Sequence, residues 1–305
     1  MPASREFQNM IKMIPPGLNA PEDDVAAVRQ KMASMHGHPI QNGTEVSYTN
    51  CGSVKAKWLQ AAGTSSDRHA LFCHGGGFVS CNMDDYLFYG EYISRYFNCR
   101  VLIPDYRLAP ESRFPAALED CFSAYVAMLD EGIDPASILV TGDSCGGGLA
   151  LATMLKARTE GLPLPACYVG TTAWYDLLLR GDSARNPGGP EPFITPGWYR
   201  ARVEDYLGGA NAADPLASPV YADCTGLPPL LLQVGGADIT RDSAVDMARA
   251  AGMCGVAVEL QIWPDMCHGW HGLVSSGIPE SLAAWESAGR FVDAHLGKRP
   301  SNKRR

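Results

Sequence analysis

From residue 70 onward, short apolar runs alternate with helix-compatible stretches. The runs at 70–73, 101–103, 137–141, 166–171, 230–234 and 256–262 read as strands, and 84–97, 116–129, 146–158, 241–251 and 281–296 read as helices. Strands buried on both faces are continuous in Val, Ile and Leu rather than alternating, and parallel neighbours need a crossover helix to join them. The alternation predicts an α/β fold, a mostly parallel sheet with helices on both faces. Ahead of it, Glu45–Cys51 and residues 54–61 alternate like two strands about the turn Gly52-Ser53. Residues 1–40 are helix-compatible, interrupted by Pro15-Pro16-Gly17 and Pro21, with acids at 22–24 marking a helix start before Val25.

One stretch departs from this rhythm. Residues 175–220 are rich in glycine, proline and aromatics, and an insertion of that length between two strands reads as a functional lid or cap. The chain of 305 residues, 46% of them hydrophobic, has enough apolar material for one large domain or two small ones. A net charge of −8 argues against a nucleic-acid-binding face. The basic segment 298–305 reads as a solvated, disordered tail. No signal-peptide core opens the chain, and no run reaches the ~18 apolar residues of a membrane span. Ten cysteines are scattered with no CxxC pair, which suggests reduced thiols in a cytoplasmic protein and neither a metal site nor a redox motif.

Chemistry concentrates at the junction of strand 137–141 and helix 146–158. There Gly142-Asp143-Ser144-Cys145-Gly146 fits a nucleophile elbow, in which a serine is held on a tight strand-to-helix turn. Side chains two residues either side of the nucleophile would collide, and Gly142 and Gly146 remove them. The helix N-terminus favours negative charge developing nearby. A second glycine run, His74-Gly75-Gly76-Gly77-Phe78, follows strand 70–73. Acyl transfer needs preorganised N–H donors for its oxyanion. Gly76, Gly77 and Cys145 are the candidate donors, and His74 reads as a structural prop for the glycine loop.

A serine hydroxyl needs a base, and the base needs an orienting acid. In this architecture they follow the serine in the order acid, then histidine. Downstream of Ser144 lie His268, His271 and His295. His268, in the loop after strand 256–262, is the expected base, with His271 the alternative, while His295 falls in the terminal helix. Asp238, just past strand 230–234, is the expected acid. Asp242, in the first turn of the next helix, is the weaker alternative for the acid, Asp143 adjoins the serine as a structural residue, and Asp265 reads as a surface loop residue.

Together with Asp105-Tyr106-Arg107-Leu108-Ala109-Pro110-Glu111, these motifs resemble the hormone-sensitive-lipase family of α/β-hydrolases, in its bacterial esterase branch. The resemblance covers residues 45–297. It implies an α/β-hydrolase fold with an eight-stranded sheet and a helical cap. Residues 1–45 and 175–220 would form the cap, and 46–174 and 221–297 the catalytic core. It also implies a triad of Ser144, Asp238 and His268, with oxyanion donors at Gly76, Gly77 and Cys145. The family's usual residue after the nucleophile is alanine, so the Cys145 side chain is expected to narrow the pocket or confer sensitivity to thiol reagents. Arg107 and Glu111 are expected to form a charge network beneath the oxyanion glycines.

The expected reaction is hydrolysis of short- to medium-chain carboxylic esters, with no metal or organic cofactor. Lactone hydrolysis by the same triad is the alternative. A ligand receptor on a dead scaffold would lack a triad member, and a dehydratase or lyase would replace the serine. Phe78, Trp174, Trp198 and Tyr199 are the expected walls of an apolar pocket. A homodimer through the edge of strand 256–262 is expected, because an exposed strand edge invites pairing.

Overall fold

A computed structural model describes residues 3–14, 20, 22–35 and 37–296, so the expected breaks at 15–17 and 21 and the basic tail lie outside the described residues. Its centre is β5 (Ile138–Asp143), in which every residue is buried. An eight-stranded sheet extends from it in the order β1 (Glu45–Cys51), β2 (Val54–Gln60), β4 (Arg100–Pro104), β3 (His69–Cys73), β5, β6 (Cys167–Thr171), β7 (Leu230–Gly235), β8 (Val258–Trp263). β2 pairs antiparallel with β1 and β4, and the other neighbours are parallel. Val256, placed in the last strand by its apolar neighbours, precedes β8 and packs in the core.

Helices α3 (Leu87–Phe97) and α8 (Pro279–His295) pack together on one face, and α4 (Ala116–Asp130) and α5 (Cys145–Thr159) on the other. α7 (Arg241–Met253) lies against β7 and β8. The central strands are covered on both sides, which is why they read as unbroken apolar runs. Leu230, Leu231 and Leu232 are fully buried, each worth ~1.5–3 kcal/mol relative to exposure.

From β3 the chain moves to β4 on one side, then returns to place β5 on the other. Ligands of open α/β sheets bind outside the carboxyl ends of strands at such a reversal. Cys73 at the end of β3 lies opposite Gly142 near the end of β5. Both glycine motifs therefore emerge side by side at that edge.

Two segments lie over this edge. The first holds α1 (Arg5–Met13) and α2 (Val25–Met35). Ser4 caps α1 by accepting from the Phe7 N–H and donates to Glu280 at the start of α8. The second lies between β6 and β7 and contains α6 (Pro196–Leu207), a helix that the glycine and proline content concealed. Its start nevertheless carries ordinary signals. Thr195 accepts from the Trp198 N–H, Pro196 occupies the first turn, and Gly208 ends the helix in the left-handed region. The segments touch where Arg202 of α6 donates to the Asp23 carbonyl. Among the described residues, no helix is long and apolar enough to cross a membrane.

Candidate active site

Ser144 sits between β5 and α5 with φ 55° and ψ −130°, a strained backbone for a residue with a side chain. Its surroundings hold it there. The Ser144 N–H donates to the Thr171 carbonyl at 2.9 Å, and its carbonyl accepts from the Gly147 and Trp174 N–H groups at 3.0 Å each. A Cβ on Gly146 would run into the Cys73 and His74 carbonyls, and one on Gly142 into the backbone of Gly146. The glycines are thus required by close approach of backbone to backbone.

His268 follows β8 and reaches back across the edge. Its Nε2 lies 2.9 Å from the Ser144 Oγ, and its Nδ1 2.9 Å from Asp238 Oδ2. Asp238 follows β7, and its other oxygen accepts from the N–H and hydroxyl of Thr240, at 2.8 Å each. This leaves the Nδ1 proton pointed at Asp238 and Nε2 free to accept from the serine. Burial opposes charge on the imidazole, but Asp238, then Glu191 and Asp143, outweigh it and raise the His268 pKa to about 9.

The other candidates lie elsewhere. His271 is fully buried and donates from Nε2 to Gln233, and burial together with His268 holds it neutral. His295 bonds the Phe291 carbonyl within α8. Asp242 accepts from the Ser183 N–H, Asp265 from the Ala3 N–H. Asp143 is buried beneath the serine and accepts from the hydroxyls of Tyr86, Tyr89, Thr171 and Thr172.

Gly76 and Gly77 border the same cavity as Ser144 and His268, and both have positive φ. The ring of His74 stacks on Tyr106 with centroids 4.1 Å apart, and Tyr106 donates to the His74 carbonyl. Cys145, the first residue of α5, departs from expectation. Its side chain is fully buried and does not border the cavity. Its Sγ accepts from the Phe78 N–H at 3.2 Å, and burial pushes the thiol up to about 12. A thiol so placed is protonated and shielded from reagents.

The cavity measures about 150 Å³. α2 contributes Met32 and Met35, the β6–β7 segment contributes Phe193, Ile194 and Trp198, and Leu273 adds to the wall. Trp198 is thus on the wall, but three expected wall residues are not. Phe78 stacks on Tyr206, Trp174 packs on Tyr199, and the Tyr199 hydroxyl donates to the Asp176 carbonyl. Aromatic content marked burial here without indicating which side of the wall each ring occupies. The expected Arg107–Glu111 network also differs. Arg107 pairs with Asp120 and Glu119, while Glu111 pairs with Arg29 of α2, because their side chains leave the loop in different directions.

One acidic residue escaped the sequence reading. Glu191 Oε2 accepts from the His268 backbone N–H at 2.6 Å. The residue is half-buried with its carboxylate group enclosed, and burial followed by the charge of Asp238 pushes its pKa up to about 8. Its one signal was an acid set between Pro190 and Pro192 ahead of apolar residues.

Comparison with known proteins agrees with this fold. The family described as alpha/beta hydrolase fold matches residues 70–272. An acetyl-hydrolase of Streptomyces hygroscopicus is 36% identical over 247 residues, covering 81% of this chain and 82% of the relative. The putative acetyl-hydrolase LipR of Mycobacterium tuberculosis is 29% identical, covering 85% and 84%. A crystal structure described as an esterase from the bacterial hormone-sensitive lipase family superposes with TM-score 0.91 at 36% identity, covering 97% of this chain and all of the other. EstE5 soaked with p-nitrophenyl butyrate gives TM-score 0.91 at 34% identity, covering 96% and 99%. The chain belongs to the α/β-hydrolase fold family and, within it, to the bacterial hormone-sensitive-lipase-like esterases.

Proposed function

We propose that this esterase hydrolyses short- to medium-chain carboxylic esters through an acyl-enzyme on Ser144. The observation that carries the reading is the continuous chain Ser144 Oγ, His268 Nε2, His268 Nδ1, Asp238 Oδ2, with both links at 2.9 Å. His268 takes the serine proton as Ser144 attacks the carbonyl, then gives it to the departing alcohol. Water repeats the sequence to release the acid. Asp238 fixes the imidazole tautomer and stabilises its charged form. The N–H groups of Gly76, Gly77 and Cys145 hold the oxyanion. Glycines beside the serine and a helix starting at Cys145 support that role.

Residues 1–45 and 175–220 act as the cap, a division supported by the walls that Met32, Met35, Phe193, Ile194 and Trp198 contribute. A cavity of about 150 Å³ takes roughly one benzene-sized apolar group, which favours short acyl chains. The acetyl-hydrolase relatives and the butyrate-soaked neighbour point the same way. A homodimer forms through β8, the last strand of the sheet, and light scattering at the monomer mass would rule it out.

The test is hydrolysis of p-nitrophenyl esters from acetate to palmitate by the wild type and Ser144→Ala. Activity should peak at short chains, and the variant should lose roughly 10⁴-fold or more in kcat. A wild type inactive on the whole series, or a variant that keeps its rate, would overturn the reading.

A further inference from the structure

We infer that Glu191 is the positioning residue through which the insertion between β6 and β7 holds the base: its carboxylate grips the His268 backbone N–H and fixes the loop that brings the imidazole to Ser144. The inference rests on the reading of His268 as the base.

The loop after β8 is fastened unevenly. Its first half is tied to the loop of Asp238, where the Gly236 N–H donates to the Trp263 carbonyl at 2.7 Å and the Ala237 N–H to the Met266 carbonyl at 2.9 Å. Its second half reaches His268, where the backbone N–H is held by Glu191. Asp265 and Gly269 on either side have positive φ, and His268 lies between the end of β8 and a 3-10 helix that starts at Trp270, in neither element. The grip comes from a segment that is itself anchored. Glu191 Oε1 accepts from the N–H groups of Phe193 at 3.0 Å and Ile194 at 3.3 Å. Upstream, Arg241 of α7 donates to the Pro187 and Gly236 carbonyls, and Asp242 accepts from the Ser183 N–H. The β7–α7 junction thus anchors both the acid of the triad and the insertion that holds the base. Phe193 and Ile194, which orient the carboxylate, also border the cavity.

An enclosed carboxylate is a costly way to satisfy backbone N–H groups, since main-chain carbonyls would do so without burying charge. Once ionised, above about pH 8, its charge also reaches the imidazole. Asp238, Glu191 and Asp143 face His268 with negative charge, and neutral His271 adjoins it. Asp238, His268 and the Cys267 thiol surround Glu191. The two groups titrate as a pair, so any pH profile reports macroscopic midpoints.

The test uses the full-length protein as Glu191→Ala and Glu191→Gln. Alanine removes both grip and charge, whereas glutamine removes the charge and keeps one oxygen to accept from the His268 N–H, at the expense of the Phe193 and Ile194 N–H groups that its NH2 then faces. With a cleaved p-nitrophenyl ester, Glu191→Ala should lose about 10- to 100-fold in kcat with KM changed less than about threefold. Glu191→Gln should recover part of that rate and shift the acid limb of kcat/KM down by roughly half to one pH unit. Proton NMR of the His268 Nδ1 signal should show the same downward shift without substrate. Melting curves separate rate loss from unfolding. Wild-type rates in Glu191→Ala, or a glutamine variant that is equally slow with an unmoved midpoint, would overturn the proposal. If the wild type cleaves no ester, the reading of the reaction fails first. The NMR titration still decides, because an unmoved midpoint in Glu191→Gln ends the role of Glu191.

Discussion

Ser144 and Glu191 approach the same histidine from regions of opposite construction. The serine stands on β5 and α5, where backbone approaches backbone so closely that Gly142 and Gly146 cannot carry a side chain. It is held by backbone hydrogen bonds from β6 and α5 and has little room to move. Glu191 stands on a segment without regular structure between Asp182 and Pro196 apart from one short turn. That segment is held by side chains, chiefly Arg241 and Asp242. The body supplies geometry that is over-determined, and the insertion supplies contacts that depend on a few groups. Substitutions at the close backbone contacts and reacting groups of the body should therefore abolish folding or chemistry, whereas those in the insertion should adjust rate and pH dependence.

The largest effect is expected at Asp238, where the regions share an anchor. Asp238→Asn preserves the shape but lets the imidazole take the wrong tautomer. A kcat loss of about 10⁴-fold is expected, measured with the best ester of the series. A loss under tenfold would mean that Glu191 can orient the base alone, and the contrast between body and insertion would collapse.

Next is stability. Gly146→Ala places a methyl against two backbone carbonyls that cannot retreat without moving β3. A loss of roughly 3 kcal/mol or more is expected, seen as a lower melting temperature or poor soluble yield. In the insertion, Gly189→Ala brings a methyl to 3.1 Å from the Ala237 side chain, a contact that can relax. It should cost about 1 kcal/mol or less. Equal losses at the two glycines would show that the insertion is as tightly packed as the body.

A third expectation concerns pH. In the proposed reaction His268 acts as a base only when neutral, and its pKa is raised from 6.5 to about 9. The kcat/KM profile should therefore rise with pH, with an acid-limb midpoint well above 6.5. Stability should run the other way. Both raised groups bind protons in the folded state that the unfolded chain has released. Their contributions are complete below the unfolded values of 4.5 for Glu191 and 6.5 for His268, and vanish as pH rises through about 8 and 9. The melting temperature should fall by on the order of a few degrees across pH 6.5 to 9, and by less in Glu191→Gln.

The same contrast explains what could be read from the chain. The elbow was legible because its geometry depends on residues within one strand-to-helix turn, and Gly142, Ser144 and Gly146 state that need directly. The placement of His268 and Asp238 beside Ser144 was legible through order, since each follows a strand at the same edge. Glu191 was not, because its partner is 77 residues away and no periodicity marks the segment. The wall residues Met32 and Met35 were missed for a related reason. A helical methionine gives no sign of whether it packs on a core or borders a cavity. Phe78, Trp174 and Tyr199 were placed on the wall because aromatic content reports burial and not direction.

The smallest expected effect tests whether the body is as redundant as this contrast requires. Cys145→Ala removes the sulfur that accepts from the Phe78 N–H. Phe78 has other supports. Its ring stacks on Tyr206 with centroids 3.8 Å apart, and its carbonyl accepts from the Ala109 N–H at 2.9 Å. Farther along the loop, the Val79 and Ser80 N–H groups both donate to the Gly76 carbonyl. Sulfur is a weak acceptor, so its removal should cost about 1 kcal/mol or less and change kcat by no more than about threefold. A tenfold fall in kcat with unchanged melting would mean that the thiol aims the glycine N–H groups at the oxyanion. The body would then depend, like the insertion, on a single side chain at its most demanding point.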